Sequence, residues 1–179
     1  MPPGADDRQG RDNTFDAYSE PLVAAIPMTY PAAMPAQDDA YPQAYIDSCR
    51  TRVDDQLDAF RKLAVATRKT GAKVPAVLQA FEAFETAFFN NMVIVLDAYF
   101  VNRARAIEKK DGNPLHEVRV LAASLMRNDE KLMADGTAPL DPESSVLKYE
   151  LGNTIRIDEA AFRQLYEAFF TDLEKKFTG

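Results

Sequence analysis

A chain of 179 residues with a formal charge of −7 and a sequence pI near 4.8 can bury one good core and is short for two. Its acidic balance argues against a dedicated nucleic-acid binder, whose affinity comes from neutralising phosphates, and a single cysteine, Cys49, rules out an internal disulfide framework. No apolar run approaches the roughly 20 residues of a membrane span, and MPPGADDRQGRD lacks the basic start and apolar block of a signal peptide, so the expected location is cytoplasmic.

Residues 1–42 hold seven of the 11 prolines, each of which disfavours helix at the residue before it. Tyr18, Leu22, Val23, Ile26, Met28 and Tyr30 recur between them, so this segment reads as a proline-rich arm, partly disordered or wrapping along a groove. A single helical-bundle domain is expected over residues 43–179. Its first helix runs from about Pro42 to Lys69, where Ile46, Cys49, Val53, Leu57, Phe60 and Ala64 form one stripe. Gly71 ends it.

The stretch from Pro75 to about Lys110 contains no internal proline or glycine and reads as one long central helix of roughly 50 Å. Val77, Leu78, Phe81, Phe84, Phe88, Met92, Val95 and Tyr99 fall on one broad face, widened by Phe89, Val93, Leu96 and Phe100. A narrow polar meridian of Gln79, Thr86, Asn90, Asp97 and Glu108 is left for solvent, so other elements are expected to cover this helix on most sides. Glu85 and Arg103 intrude on its apolar face and need partners. Asn113 caps a third helix with Pro114 at its first position; Leu115, Val118, Leu121, Ala122, Leu125 and Met126 make its inner face, which is expected to persist to about Leu132. A last helix, Glu159 to Phe177, is capped by Asp158. Before it, Leu147, Tyr149, Leu151, Ile155 and Ile157 alternate with polar residues around Gly152-Asn153, which reads as a small β-hairpin at about 146–157. The fold class is therefore mainly α: an up-and-down four-helix bundle with a long central helix, the arm and the hairpin.

Chemistry-bearing patterns are sparse. His116 is the one histidine, which leaves no His-Glu-x-x-His zinc pattern and no pair of Glu-x-x-His motifs for a di-iron site. No metal, cofactor or catalytic residue is assigned. Asp97 and Asn90 lie on the polar meridian; an antiparallel third helix would put Arg127 beside Asp97 and keep His116 too far away for an acid–base dyad. Cys49, on an inner stripe, is expected to behave as a small hydrophobe. The remaining pattern is a basic end of the bundle: Arg103, Arg105, Lys109 and Lys110 close the central helix, the N–H groups of Leu115 and His116 emerge beside them, and Arg50 and Arg52 lie near. Clustered cations with open amide donors are the ingredients of an anion site.

The expectation for function is a non-enzymatic interaction or oligomerisation module, a homodimer using surplus apolar surface, with no nucleic-acid or membrane partner. The alternative is a small-molecule binder or enzyme holding an anionic ligand at the basic end.

Overall fold

Ile46, Cys49, Val53, Leu57, Phe60 and Ala64 are all buried along one side of helix α1 (Gln43–Gly71), as a 3.6-residue period requires of a helix with one covered side. The computed structural model describes residues 40–71, 74–134 and 140–178. The described residues fall within one compact unit; the proline-rich arm, up to residue 39, lies outside them. They form five helices: α1, α2 (Pro75–Tyr99), α3 (Arg105–Glu108), α4 (Pro114–Arg127) and α5 (Glu159–Phe177). The protein is mainly helical. Among the described residues there is no strand, only isolated bridges between Tyr41 and Thr178 and between Lys131 and Thr154.

Three contacts fix how α1 lies on α5. Arg50 pairs with Glu174 at 2.8 Å, the Tyr166 hydroxyl donates to Asp54 at 2.9 Å, and Arg61 pairs with Glu159 at 2.7 Å. As the α1 number rises the α5 number falls, so the two run antiparallel. Glu159 is the first residue of α5; α1 therefore continues for about ten residues, roughly 15 Å, past the end of its neighbour. Along that extension α1 has α2 as its partner. Phe60 stacks on Phe81 and Phe88 with centroids 5.4 and 5.2 Å apart. Gly71 lets Leu78 close over it, since a Cβ there would lie 2.5 Å from Leu78 Cγ. α2 also packs on α4 and α5, and α4 on α5.

The long central helix expected over 75–110 is corrected to two pieces. α2 stops at Tyr99, and the chain turns through residues 100–104 before the single turn of α3. No proline or glycine causes this. Two buried side chains do. Phe100 turns inward with 0% exposure, ringed by Tyr41, Phe169 and Phe170 at 5.1 to 5.7 Å. Arg103, which a continuous helix would have left on the apolar face, bends back to carboxylates on both sides of the break. Val101 and Asn102, poor helix formers, are left exposed between them.

The hairpin at 146–157 is corrected as well. Residues 152–155 pair instead with the chain leaving α4: Leu132 N–H donates to Asn153 O at 2.9 Å, Gly152 N–H to Leu132 O at 2.9 Å, and Ile155 N–H to Glu130 O at 2.7 Å. Ile155 and Ile157 are fully buried whereas Leu151 is 54% exposed, so the expected facing of Leu151 and Ile155 does not occur. The alternation is real, but its apolar positions plug the helical core. α4 ends at Arg127 rather than near Leu132, and Met126, expected on its inner face, is 55% exposed. α5 has the bounds and the Asp158 cap expected of it.

Candidate functional site

The break after α2 gathers charged groups from three elements into one buried cluster. Arg103, with no side-chain exposure, donates from Nη2 to Asp97 Oδ1 at 2.6 Å, from Nη1 to the Phe100 carbonyl at 2.9 Å and from Nε to Glu108 Oε2 at 3.3 Å. Its guanidinium lies 5.2 Å from the Phe169 ring centre, a cation–π approach. Arg119 of α4 closes the cluster on Glu108, with Nε 2.8 Å from Oε1 and Nη2 on Oε2. Two cations and two carboxylates are thus matched inside a largely dry corner. Here each charge satisfies another. The Asp97–Arg127 pair expected from a continuous antiparallel helix is corrected to Asp97–Arg103, and Glu108, read as part of a solvent meridian, is 1% exposed.

The start of α4, read as open amides, is closed by its own cap. Asn113 Oδ1 accepts from the N–H groups of Leu115 and His116 at 3.0 and 3.1 Å, and its Nδ2 donates to the Glu108 carbonyl at 2.7 Å. His116 is buried and accepts the Gly112 N–H on Nδ1 at 3.3 Å. Asp111 hydrogen-bonds Asn113, which holds its carboxyl below the ordinary aspartate range. Arg105, Lys109 and Lys110 are exposed around this turn, with Lys109 at a positive φ of 66°. Arg50 is held elsewhere, by Glu174 and over the Phe170 ring at 4.6 Å, and Arg52 is half-buried. The seven basic-end residues therefore do not converge: Arg103 and His116 face inward, while the lysines face water.

Three other buried polar groups are structural. Asn90 donates to the Ile155 carbonyl at 3.1 Å and accepts from the Ile157 N–H at 3.2 Å, so its carboxamide stands in for a neighbouring strand. Glu117, fully buried, accepts the Val146 and Leu147 N–H groups at 2.6 and 2.8 Å. Burial pushes its carboxyl above the ordinary range, against the pull of those two bonds. Burial likewise raises the Cys49 thiol, which makes it a poor nucleophile. Glu108, Glu117 and Arg119 were missed as interior residues, because nothing in the sequence announces that a charge has a partner across a chain break.

The outer side of the α1–α2 layer carries an uncharged strip. At 100° per residue, Gln56, Ala59, Leu63, Ala66 and Thr70 share the flank of α1 opposite the one that carries Asp54 and Arg61, the two residues in contact with α5. On α2, Ala76, Ala80, Phe84, Ala87 and Asn91 share the flank opposite Phe89 and Leu96, which are fully buried in the interior. Antiparallel packing of α1 on α2 brings both flanks to the same side. None of these ten carries a charge. All but Gln56 are exposed, Leu63 by 46% and Phe84 by 43%. Glu82 and Gln79 are exposed as well, so the first turns of α2, like the last turns of α1, extend beyond the rest of the bundle. The expectation that α2 is covered on most sides is corrected accordingly. The spacing of Ala76, Ala80, Phe84 and Ala87 was visible in PAVLQAFEAFETAFF, but alanine reads equally as core.

Among the described residues no group of three or more His, Cys, Asp or Glu side chains is placed to hold a metal ion, and no helix is long and apolar enough to cross a membrane. Two open depressions, one along residues 125–130 and one between Leu140–Pro142 and Glu150–Leu151, contain no convergent catalytic set. Compared with known proteins, the chain matches no family model, no curated protein and no solved structure.

Proposed function

We propose that this chain is a non-enzymatic interaction module: an up-and-down bundle of α1, α2, α4 and α5 whose working surface is the outer side of the α1–α2 layer. One observation carries the reading. A chain with 49 charged side chains, 21 basic and 28 acidic, keeps charge off a two-helix face that presents Leu63 and Phe84 to water. An uncharged face of this size with exposed aromatic and aliphatic groups marks a surface meant to be covered. The polar interior does not compete with this reading, because Arg103, Glu108, Arg119 and Asn113 are held by one another or by the backbone.

The reading is tested against its rival, an anionic ligand held at the basic end. A thermal-shift screen with inorganic phosphate, nucleotides, small carboxylates and divalent cations is expected to leave the melting temperature unchanged, since a ligand selective for the folded form must raise it. A rise with any of the anions that disappears in Lys109→Ala or Lys110→Ala would replace this proposal with the small-molecule one.

A further inference from the structure

Resting on that reading, we propose that the outer side of the α1–α2 layer is covered by a second copy of this chain, in a two-fold arrangement centred on Leu63 and Phe84. Three features of the face favour a copy over a different protein. The first is charge. Two copies of a chain carrying −7 repel unless the zone of contact lacks acid, and from Gln56 to Thr70 on α1 and from Ala76 to Asn91 on α2 this strip has neither acid to repel a copy nor base to select an acidic partner, Arg52 being the first charge on the α1 flank beyond it.

The second feature is shape. The Phe60 ring stacks on Phe84 at 6.4 Å as well as on Phe81 and Phe88, so Leu63, one turn along α1, lies at nearly the level of Phe84. Each helix thus presents one large side chain between small ones: Leu63 between Ala59 and Ala66, Phe84 between Ala80 and Ala87. A two-fold axis parallel to the helices, in the plane between the copies, lays α1 of one over α2 of the other. Leu63 then enters the hollow beside Phe84 of the second copy, and the reciprocal contact follows by symmetry. Alanines on both sides let the helices approach at the close end of the usual 8–10 Å spacing.

Area is the third. Two helices side by side over about 22 Å, the length of the uncharged strip, expose about 450 Å² per copy, about 900 Å² for the pair, which is the size of weak, transient contacts. The dimer is therefore expected to dissociate on dilution rather than to be permanent.

Sedimentation velocity of the full chain from about 1 to about 500 μM measures this directly. The expected result is a monomer that converts to a dimer and no further, because an isologous contact closes on itself. Phe84→Glu and Leu63→Glu are expected to raise the dissociation constant at least tenfold, about 1.4 kcal/mol. Ala80→Glu keeps the test decisive if either of those misfolds, since Ala80 is exposed and its replacement disturbs no core contact. Val65→Glu, on the opposite flank of α1 and 52% exposed, is expected to dimerise as the parent does. A folded monomer at every concentration would overturn the second copy as occupant while leaving the interaction reading standing. A dimer indifferent to Phe84→Glu and Ala80→Glu would overturn the face itself, and with it the proposed working surface.

Discussion

Glu117 shows what burial does to one carboxyl when its only partners are backbone amides. Desolvation raises its pKa and the N–H groups of Val146 and Leu147 pull it back only in part, so the ionised form is held less well in the folded chain than in the unfolded one. The sign follows. A group with a raised folded pKa contributes stability that is complete below its unfolded value, about 4.5, and is lost as pH rises through the folded value, at about 1.4 kcal/mol per pH unit between the two. Glu117→Gln cannot titrate and keeps one of the two acceptors. Urea unfolding of both forms between about pH 4 and 8 is expected to show the parent losing stability relative to the variant as pH rises above 4.5, with a constant difference once the folded pKa is passed. Asp111 and Glu159 have lowered pKa values, Glu159 because Arg61 and Arg163 outweigh its burial; they act in the opposite direction and cancel in the difference. A difference that grows in the parent's favour with pH would mean that the two amides, and not desolvation, dominate at this site.

At the scale of elements, the helices whose ends are written in local chemistry were legible. α5 has its Asp158 cap and seven buried apolar residues at helical spacing, and α1 has its stripe and its closing glycine. The break in α2 was not legible, because its cause is distributed. Arg103 on an apolar face was a visible anomaly, yet Asp97 and Glu108 become its partners, and Arg119 joins Glu108, only after the chain has turned. The hairpin misled for a related reason: alternation reports which side chains go inward, whereas the backbone of residues 152, 153 and 155 bonds to Leu132 and Glu130, that of Ile155 and Ile157 to the Asn90 side chain, and that of Arg156 to the Tyr149 hydroxyl rather than to a facing strand. The turn after α2 also rearranges the basic end: Asn113 takes the N–H groups of Leu115 and His116, Arg103 pairs with Asp97 and Glu108, and Arg105, Lys109 and Lys110 stay exposed. If the charge cluster holds the break in place, Arg103→Ala leaves Asp97 and Glu108 short of a cation in the interior, and the loss is expected at about 3–5 kcal/mol by urea or thermal unfolding. Lys62→Ala, at an exposed position of α1 away from the cluster, is expected to cost less than about 0.5 kcal/mol. Equal, small effects at both positions would show that Phe100 and its aromatic ring of neighbours hold the corner without the ions.

For the whole molecule, the consequence of unequal helix lengths is a gradient of stability along α1 and α2. Near Val53 and Leu96, these helices are backed by α5 and α4. Beyond Arg61 and before about Phe84 they are backed by each other, through Phe60, Ala64, Gly71, Leu78 and Phe81. Opening that end exposes only this small cluster, whereas opening the other end must also expose Phe100, Phe169 and Phe170. Local opening free energies follow the apolar contacts that must be broken, so in dilute solution amides of residues 63–70 and 79–83 are expected to exchange hydrogen well before those of 49–60 and 92–97 in the same two helices. Hydrogen-exchange mass spectrometry resolves the segments, and protein concentration is the useful second variable. A second copy seated on the outer face must slow exchange at the extended end selectively as concentration rises, because the interface is formed only in the closed hairpin. In Ala80→Glu the fast exchange of that end is expected to persist at every concentration. Protection that is uniform along α1 in dilute solution would contradict the gradient itself, since it would require the extended end to open only with the rest of the fold.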